Sequence, residues 1–221
     1  KKVPTVSFTI RVGTNPLLRY AAKAEDLEQL KDAVEKDDIN RKISGFRALD
    51  IAIINHNIEA ITFLIEHKAD PCLVNDNTHE SSVSLMLEFN LEKSLKHLIE
   101  NQPEILEHDF GKGTHVLHLV AQSKMPDLCA LIIRKGTSPK VANKLGQTPL
   151  HFAAQVQDLD TIKLLIQSGG DPATMDHANA SPLSLSAHWD LYENLAFMLQ
   201  SPMTPDAIFP ALYEAQMHGD P

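Results

Sequence analysis

Two apolar registers run along the chain at nearly constant spacing. Leu49, Val83, Leu117, Leu150 and Leu183 stand 34, 34, 33 and 33 residues apart. Leu64, Leu98, Ile132, Leu165 and Met198 keep the same intervals. Two registers marching in step define a repeat, and each repeat predicts a turn, a short helix, a second helix and a loop. A shorter repeat precedes them. Leu18, Ala21-Ala22, Leu27, Leu30 and Val34 match Leu49, Ala52-Ile53, Ile58, Ile61 and Ile65 at an offset of 31, and Asp38-Ile39-Asn40 closes it.

The polar positions between the registers supply the punctuation. Thr148 can cap the first helix of its repeat, and Pro149 suits the first helical position, where no amide partner is lost. Ala153-Ala154 permit close approach of a neighbouring repeat. Asp158 or Asp160 opens the second helix, Leu164-Leu165 form its buried stripe, and Gly169 stops it. One repeat cannot bury its own apolar face, so stacking must supply the core.

These residues resemble the ankyrin family, whose motif is Gly-x-Thr-Pro-Leu-His-x-Ala-Ala, a Leu-Leu helix and Gly-Ala-Asp. The match is strongest at Gly146, Thr148-Pro149-Leu150-His151, Ala153-Ala154, Leu164-Leu165 and Gly169-Gly170-Asp171. Leu49, Ala52, Leu64-Ile65 and Ala69-Asp70-Pro71 carry it in an earlier repeat. Gly113, Leu117-His118, Ala121 and Gly136 carry it in another, and Ser181-Pro182-Leu183 in the last. Ser81-Ser82-Val83-Ser84 and Gln102-Pro103 depart from it. The resemblance implies an all-α ankyrin-repeat solenoid of helix-turn-helix repeats with β-turn fingers. Its repeats fall at about 15–42, 43–76, 77–109, 110–142, 143–175 and 176–202.

The ends read differently. Residues 1–14 form an extension in which Val6 to Val12 alternate with period two, as a short strand does. That strand either caps the first helix pair or belongs to a neighbouring domain, and the cap is the preferred reading. Residues 203–221 predict a capping helix or the start of a further repeat. Its helix would run from Ala207 to Gln216, disturbed at Pro210. The chain starts at Lys1-Lys2 without a Met, which reads as a fragment of something longer.

Charge and composition narrow the partners. The net charge is -9, from 29 acidic and 20 basic residues. That field disfavours nucleic acid and anionic membranes, and no Lys/Arg run offsets it. No apolar run reaches the roughly 18 residues a membrane span needs. Cys72 and Cys129 are isolated and lack a CxxC pattern, which fits a reducing, cytoplasmic setting.

Candidate chemistry is sparse. His118 and His151 occupy the family's Thr-Pro-Leu-His position, where the resemblance implies hydrogen bonds to turn backbone that tie neighbouring repeats together. His115 and His118 lie three apart, but no third ligand has matching spacing, so no metal is expected. Cys129 replaces an apolar stripe residue, aligned with Ile61, Leu95 and Ile162. Cys72 sits in an inter-repeat loop. Gly111-Lys112-Gly113-Thr114 lacks the spacing and the preceding strand of a phosphate loop. No catalytic residue, cofactor or metal is expected, and the chain reads as a non-enzyme.

The resemblance also implies binding through the turn tips and the inner face of the first helices. Positions just after the small-residue pair are Lys23-Ala24, Ile54-Asn55, Glu88-Phe89, Gln122-Ser123, Gln155-Val156 and His188-Trp189. Ile54, Phe89, Val156 and Trp189 make an apolar line there; the competing reading tucks Ile54 and Phe89 under longer fingers. The tips add Ile43-Ser44, Asn77-Thr78, Gly111-Lys112, Lys144-Leu145 and His177-Ala178. The expectation is a monomeric module that binds a partner protein. The alternative is the targeting domain of a larger enzyme, with the catalytic domain elsewhere. The texture of Asn, Lys and Ile further suggests, by analogy, a bacterial effector acting in a host cytosol.

Overall fold

The structure, a computed structural model, describes residues 20–21, 27–43, 45–76, 79–201, 208–209 and 213. The expected strand at 6–12 and the positions Lys23-Ala24, Ser44 and Asn77-Thr78 lie outside them. The expected C-terminal helix is described only at 208, 209 and 213. The described residues are helical, with isolated bridges and no sheet. The chain divides into two compact units, residues 1–85 and 86–221.

Unit 1 holds α1 (Leu27–Lys36), α2 (Ala48–Ile54) and α3 (Ile58–Glu66), and α4 (Ser82–Glu88) begins in it. In its core Leu49, Ile51, Ile53, Ile61, Leu64 and Ile65 are at most 2% exposed. Asn57 caps α3, accepting from the Ala60 amide at 3.1 Å, and donates to the Ala21 carbonyl at 3.1 Å. An antiparallel bridge between Ile43 and Phe46 makes one finger, and a bridge between Val74 and Ser81 makes the next.

Unit 2 holds α5 (Glu92–Asn101), α6 (Val116–Gln122), α7 (Pro126–Arg134), α8 (Pro149–Ala153), α9 (Leu159–Gln167), α10 (Pro182–His188) and α11 (Tyr192–Met198). Its helices stack in two files: α6, α8 and α10 form the inner one, and α5, α7, α9 and α11 the outer. Both apolar registers are fully buried between them: Leu117, Leu150 and Leu183 on one side, Leu98, Ile132, Leu165 and Met198 on the other. Each Leu so buried stabilises the stack by about 1.5–3 kcal/mol. Ala121, Ala153 and Ala154, all buried, let successive inner helices approach.

The turns follow from backbone sterics. The finger position at 45, 79, 113, 146 and 179 has positive φ in each of the five repeats where it is described. Glycine fills it at 45, 113 and 146, because a Cβ costs energy in that conformation. His79 and Asn179 hold the same left-handed geometry. At Gly146 the constraint is also spatial. A Cβ there would lie 2.9 Å from His177 Cδ2 and 3.1 Å from the His177 amide nitrogen. This glycine therefore sets how closely two fingers pack. The divergent repeat solves its missing glycine at Gln102-Pro103 with a 3-10 turn, Pro103–Glu107, which buries Ile105 and Leu106.

Among the described residues, a polar side chain closes the start of the inner helices α2, α6, α8 and α10. In unit 2, the His115 amide donates to His118 Nδ1 at 3.1 Å, and the Thr148 amide donates to His151 Nδ1 at 3.0 Å. The opposite ring nitrogens reach forward to the next finger: His118 Nε2 to the Gln147 carbonyl at 3.1 Å, His151 Nε2 to the Ala180 carbonyl at 3.2 Å. Ser184 Oγ takes the same amide bond from Ser181 at 2.9 Å. In unit 1 the equivalent residue is Asp50, fully buried. Its carboxylate accepts from the Arg47 amide at 3.1 Å, Asn75 Nδ2 at 2.8 Å and Ser82 Oγ at 2.7 Å. Arg47, 1% exposed, lies with Nε 3.5 Å from Asp50 and donates through Nη2 to the Leu73 carbonyl at 2.5 Å.

Two stability effects are expected. Gly146→Ala should lower the unfolding free energy by about 1–3 kcal/mol, the cost of a strained left-handed residue, read by urea denaturation. Asp50→Ala strips the carboxylate from the buried Arg47 and should cost about 3–5 kcal/mol. Calorimetry would register it as a large fall in melting temperature.

Candidate functional site

Fingers and inner-helix ends are the surfaces the fold leaves for recognition, and side chains within the fingers hold them in place. In unit 2, Asp109 Oδ1 accepts from the amides of Gly111 and Gly113, at 2.8 and 2.7 Å. Asn143 Oδ1 accepts from Leu145 and Gln147, at 2.9 and 3.0 Å. Asp176 Oδ1 accepts from Ala178 and Ala180, at 2.8 and 2.9 Å. Each thereby fixes the two-residue tip beyond it. These three clamps were missed in the motif reading, although their 34- and 33-residue spacing was available in the sequence.

Adjacent fingers are also cross-linked. The Lys144 amide donates to the Lys112 carbonyl at 2.8 Å, and the His177 amide to the Leu145 carbonyl at 2.9 Å. Gln147 Nε2 donates to Asp176 Oδ2 at 3.2 Å. Lys144 Nζ pairs with Asp109 at 3.2 Å. The tip residues Lys112, Lys144, Leu145 and His177 are therefore exposed side chains on a braced backbone. Leu145 is 42% exposed at its tip.

The inner-helix ends differ from one another. Trp189 is 53% exposed and meets His188 edge-on, with ring centroids 5.4 Å apart. Val156 and Phe89 are half-buried, Gln155 is half-buried, and Gln122, Glu88 and His188 are exposed. In unit 1, Ile54 is half-buried and Asn55 exposed. Asn55 and Gln155 turn their amides back onto the helix, donating to the carbonyls of Ile51 at 2.8 Å and His151 at 3.1 Å. Of the four apolar residues expected on this edge, Trp189 thus offers the most free area.

Electrostatics at the fingers follow from the hydrogen bonds. The Gly111 amide, then the Lys144 ammonium, holds the Asp109 carboxyl below its ordinary 3.8. Burial pushes Asp176 upward, but the amides of Ala180 and Ala178 and the Gln147 side chain outweigh it, so its pKa is lowered. Burial lowers the pKa of His118 and His151 below 6.5 and keeps them neutral. Burial, then the Asp158 charge, pushes the Cys129 thiol up to about 12, which leaves no thiolate for nucleophilic work. Among the described residues, no group of three His, Cys, Asp or Glu side chains is placed to hold a metal. No described helix is long and apolar enough to cross a membrane.

This combination of stacked helix pairs, left-handed finger residues and a forward-reaching histidine defines an ankyrin-type helical-repeat protein. A family model for ankyrin repeats in three copies matches residues 83–176 and 117–207, and the chain belongs to the ankyrin-repeat family. It is 30% identical over 141 residues to an ankyrin repeat protein of Rickettsia felis, covering 62% of this chain and 49% of that protein. The chain thus spans about half the length of that curated relative. An ankyrin repeat domain from Acinetobacter baumannii matches with a TM-score of 0.68 and 22% identity, over 85% of this chain and 97% of that one. A chain from the complex of a predatory endopeptidase from Bdellovibrio bacteriovorus with an immunity protein matches with a TM-score of 0.68 and 20% identity. It covers 86% of this chain and 100% of its own. These structural likenesses show an all-α ankyrin-repeat fold.

The buried histidines give a pH dependence. In the unfolded chain they take up protons below about pH 6.5, while the folded chain resists because burial disfavours the charged rings. Their contribution is therefore complete above pH 6.5 and is lost as pH falls below it. Urea denaturation at pH 7.5 and 5.5 should show lower stability at 5.5. A His118→Gln/His151→Gln variant should show a much smaller difference.

Proposed function

We propose that this chain is a protein-protein interaction module that carries no active site of its own. Its partner lies against the inner-helix ends and the finger tips. The observation that carries this reading is in unit 2: Leu145 stays exposed on a finger braced by the Asn143 clamp, and Trp189 stays exposed at the end of α10. Pre-organisation of this kind reduces the ordering cost of binding. Trp189 is the anchor of the surface, Leu145 and Val156 its apolar neighbours, and Lys112, Lys144, His177, Gln122, Gln155 and His188 its polar rim. Glu88 and Phe89 extend it within the same unit, and Ile54 with Asn55 supply the corresponding edge of unit 1. Ankyrin-repeat domains are in general non-catalytic interaction modules, which supports this reading. So does the Bdellovibrio neighbour, a chain taken from a complex between two proteins. The module acts as a monomer in the cytoplasm.

A second reading has one observation in its favour. The chain spans 49% of its Rickettsia felis relative, which is compatible with a longer polypeptide. In that reading the repeats target an enzyme, an effector acting in a host cell, whose catalytic domain lies outside these residues.

Affinity capture followed by mass spectrometry supplies the partner for the test. Trp189→Ala should weaken its binding by about 2–4 kcal/mol, as truncation of a hot-spot aromatic does. Leu145→Ala should weaken it less. Unchanged affinity in both, with helical content intact by circular dichroism, removes this surface from consideration.

A further inference from the structure

At one register, the loops that leave the outer helices carry Asp, Glu, Ser and Asp. Asp70, Glu104, Ser138 and Asp171 stand 34, 34 and 33 residues apart, in step with the apolar registers. Three of them precede a proline: Pro71, Pro139 and Pro172. In unit 1, Asp70 Oδ1 accepts from the Cys72 amide at 2.9 Å. In unit 2, Asp171 Oδ1 accepts from the Ala173 amide at 2.9 Å. Ser138 Oγ takes the equivalent bond from the Lys140 amide, at 3.2 Å. The turn at Ser138 is therefore kept while the negative charge is missing.

The second observation is electrostatic. In a chain of net charge -9, residues 134–144 hold Arg134, Lys135, Lys140 and Lys144 and no Asp or Glu. Lys144 pairs with Asp109. Arg134, Lys135 and Lys140 are exposed, and among the described residues no carboxylate pairs with them. A carboxylate at 138 would answer this positive field permanently. A serine leaves it unanswered until the hydroxyl is modified.

The hydroxyl is also within reach of an enzyme. Thr148 and Ser181, which precede prolines too, are buried at helix starts, whereas Ser138 is exposed in its loop. Pro139 removes the amide donor that would follow the acceptor residue, and a kinase pocket without an acceptor there selects for that loss. The negative end of α7, four residues before Ser138, opposes an anion, but this field fades beyond the last turn. Asp70 and Asp171 stand equally far beyond α3 and α9, so the fold already accommodates an anion at this register.

We propose that Ser138 is a phosphorylation site for a proline-directed protein kinase. The γ-phosphoryl group of ATP passes to Ser138 Oγ. The new O–P bond replaces the bond to the β-phosphate oxygen, ADP leaves, and the hydroxyl proton goes to the kinase's base. The phosphoserine carries about -1.5 to -2 charges near neutral pH and three strong acceptor oxygens. It accepts from the Lys140 amide in the manner of Asp70 and Asp171, and the charges of Arg134, Lys135 and Lys140 favour it. The Val141 amide already donates to the Ser138 carbonyl at 3.1 Å. Phosphorylation thus tightens the turn that leads into Asn143 and the finger bearing Lys144 and Leu145. The inference stands independently of the interaction-module reading.

The test treats the whole folded chain with ATP and a cyclin-dependent kinase or, separately, a mitogen-activated kinase. Tandem mass spectrometry then maps the phosphate. It should appear on Ser138 with at least one of the two, and Pro139→Ala, with helical content intact by circular dichroism, should abolish it. A second preparation carries phosphoserine at 138 introduced by codon suppression, so the effect on the fold is read without a kinase. Its melting temperature should rise by about 2–4 °C, the scale of one added hydrogen bond in a chain of this size. Ser138→Asp should gain part of that rise, and Ser138→Ala should melt below the unmodified chain. The rise should shrink in about 1 M salt and in Lys135→Gln/Lys140→Gln. No phosphate on Ser138 with either kinase, undiminished phosphate in Pro139→Ala, or a lower melting temperature for the phosphoserine chain overturns the proposal. So does a rise that is the same in Lys135→Gln/Lys140→Gln.

Discussion

The described structure leans on one buried polar contact, made by the third residue of an inner helix at Asp50, His118 and His151. In unit 2, His118 and His151 accept from the amide that starts their own helix and donate to a carbonyl of the following finger. One ring thus fixes a helix start and the spacing to the next repeat. The apolar registers provide most of the free energy but are nearly indifferent to small sliding, because burial is non-directional. Directional bonds remove that freedom. Asp50 does the same work in unit 1 with a carboxylate, and Arg47 lies beside it as its buried counter-charge.

The fingers inherit this order. Once a histidine or aspartate has placed the finger base, Asp109, Asn143 and Asp176 tie the tip amides, and successive fingers exchange backbone bonds. Glycine at 146 keeps the row tight because no side-chain atom fits between it and His177. A surface built this way holds its side chains in a fixed pattern while their identities stay free to vary. That separation of scaffold from recognition explains why the histidines here carry no chemistry of their own: both ring nitrogens of His118 and His151 are already engaged.

The exposed edge of unit 2 is graded in character. Its tips are exposed Lys112, Lys144 and His177, its middle is amide-rich at Gln122 and Gln155, and its far end is aromatic and acidic at Trp189, Asp190, Tyr192 and Glu193.

The sequence by itself determined the period, the two helices of each repeat, the helix stop at Gly169, the proline start at 149, and the burial of both registers. All of these depend on interactions within a few residues or on a pattern that recurs every 33 or 34. The repeat position of Trp189 and Leu145 was legible for the same reason. Only the tertiary structure decided that Asp50 stands in for histidine and that Arg47 is buried beside it. It also decided that Ile54, Phe89 and Val156 are half covered while Trp189 is more exposed, and that Asn194 is buried against the Val156 carbonyl. Those facts depend on contacts between residues 25 to 38 positions apart, as from Asn75 to Asp50 and from Asn194 to Val156. A side chain's partner in the neighbouring repeat is set by how closely the helices stack, and that distance appears only after the core has packed.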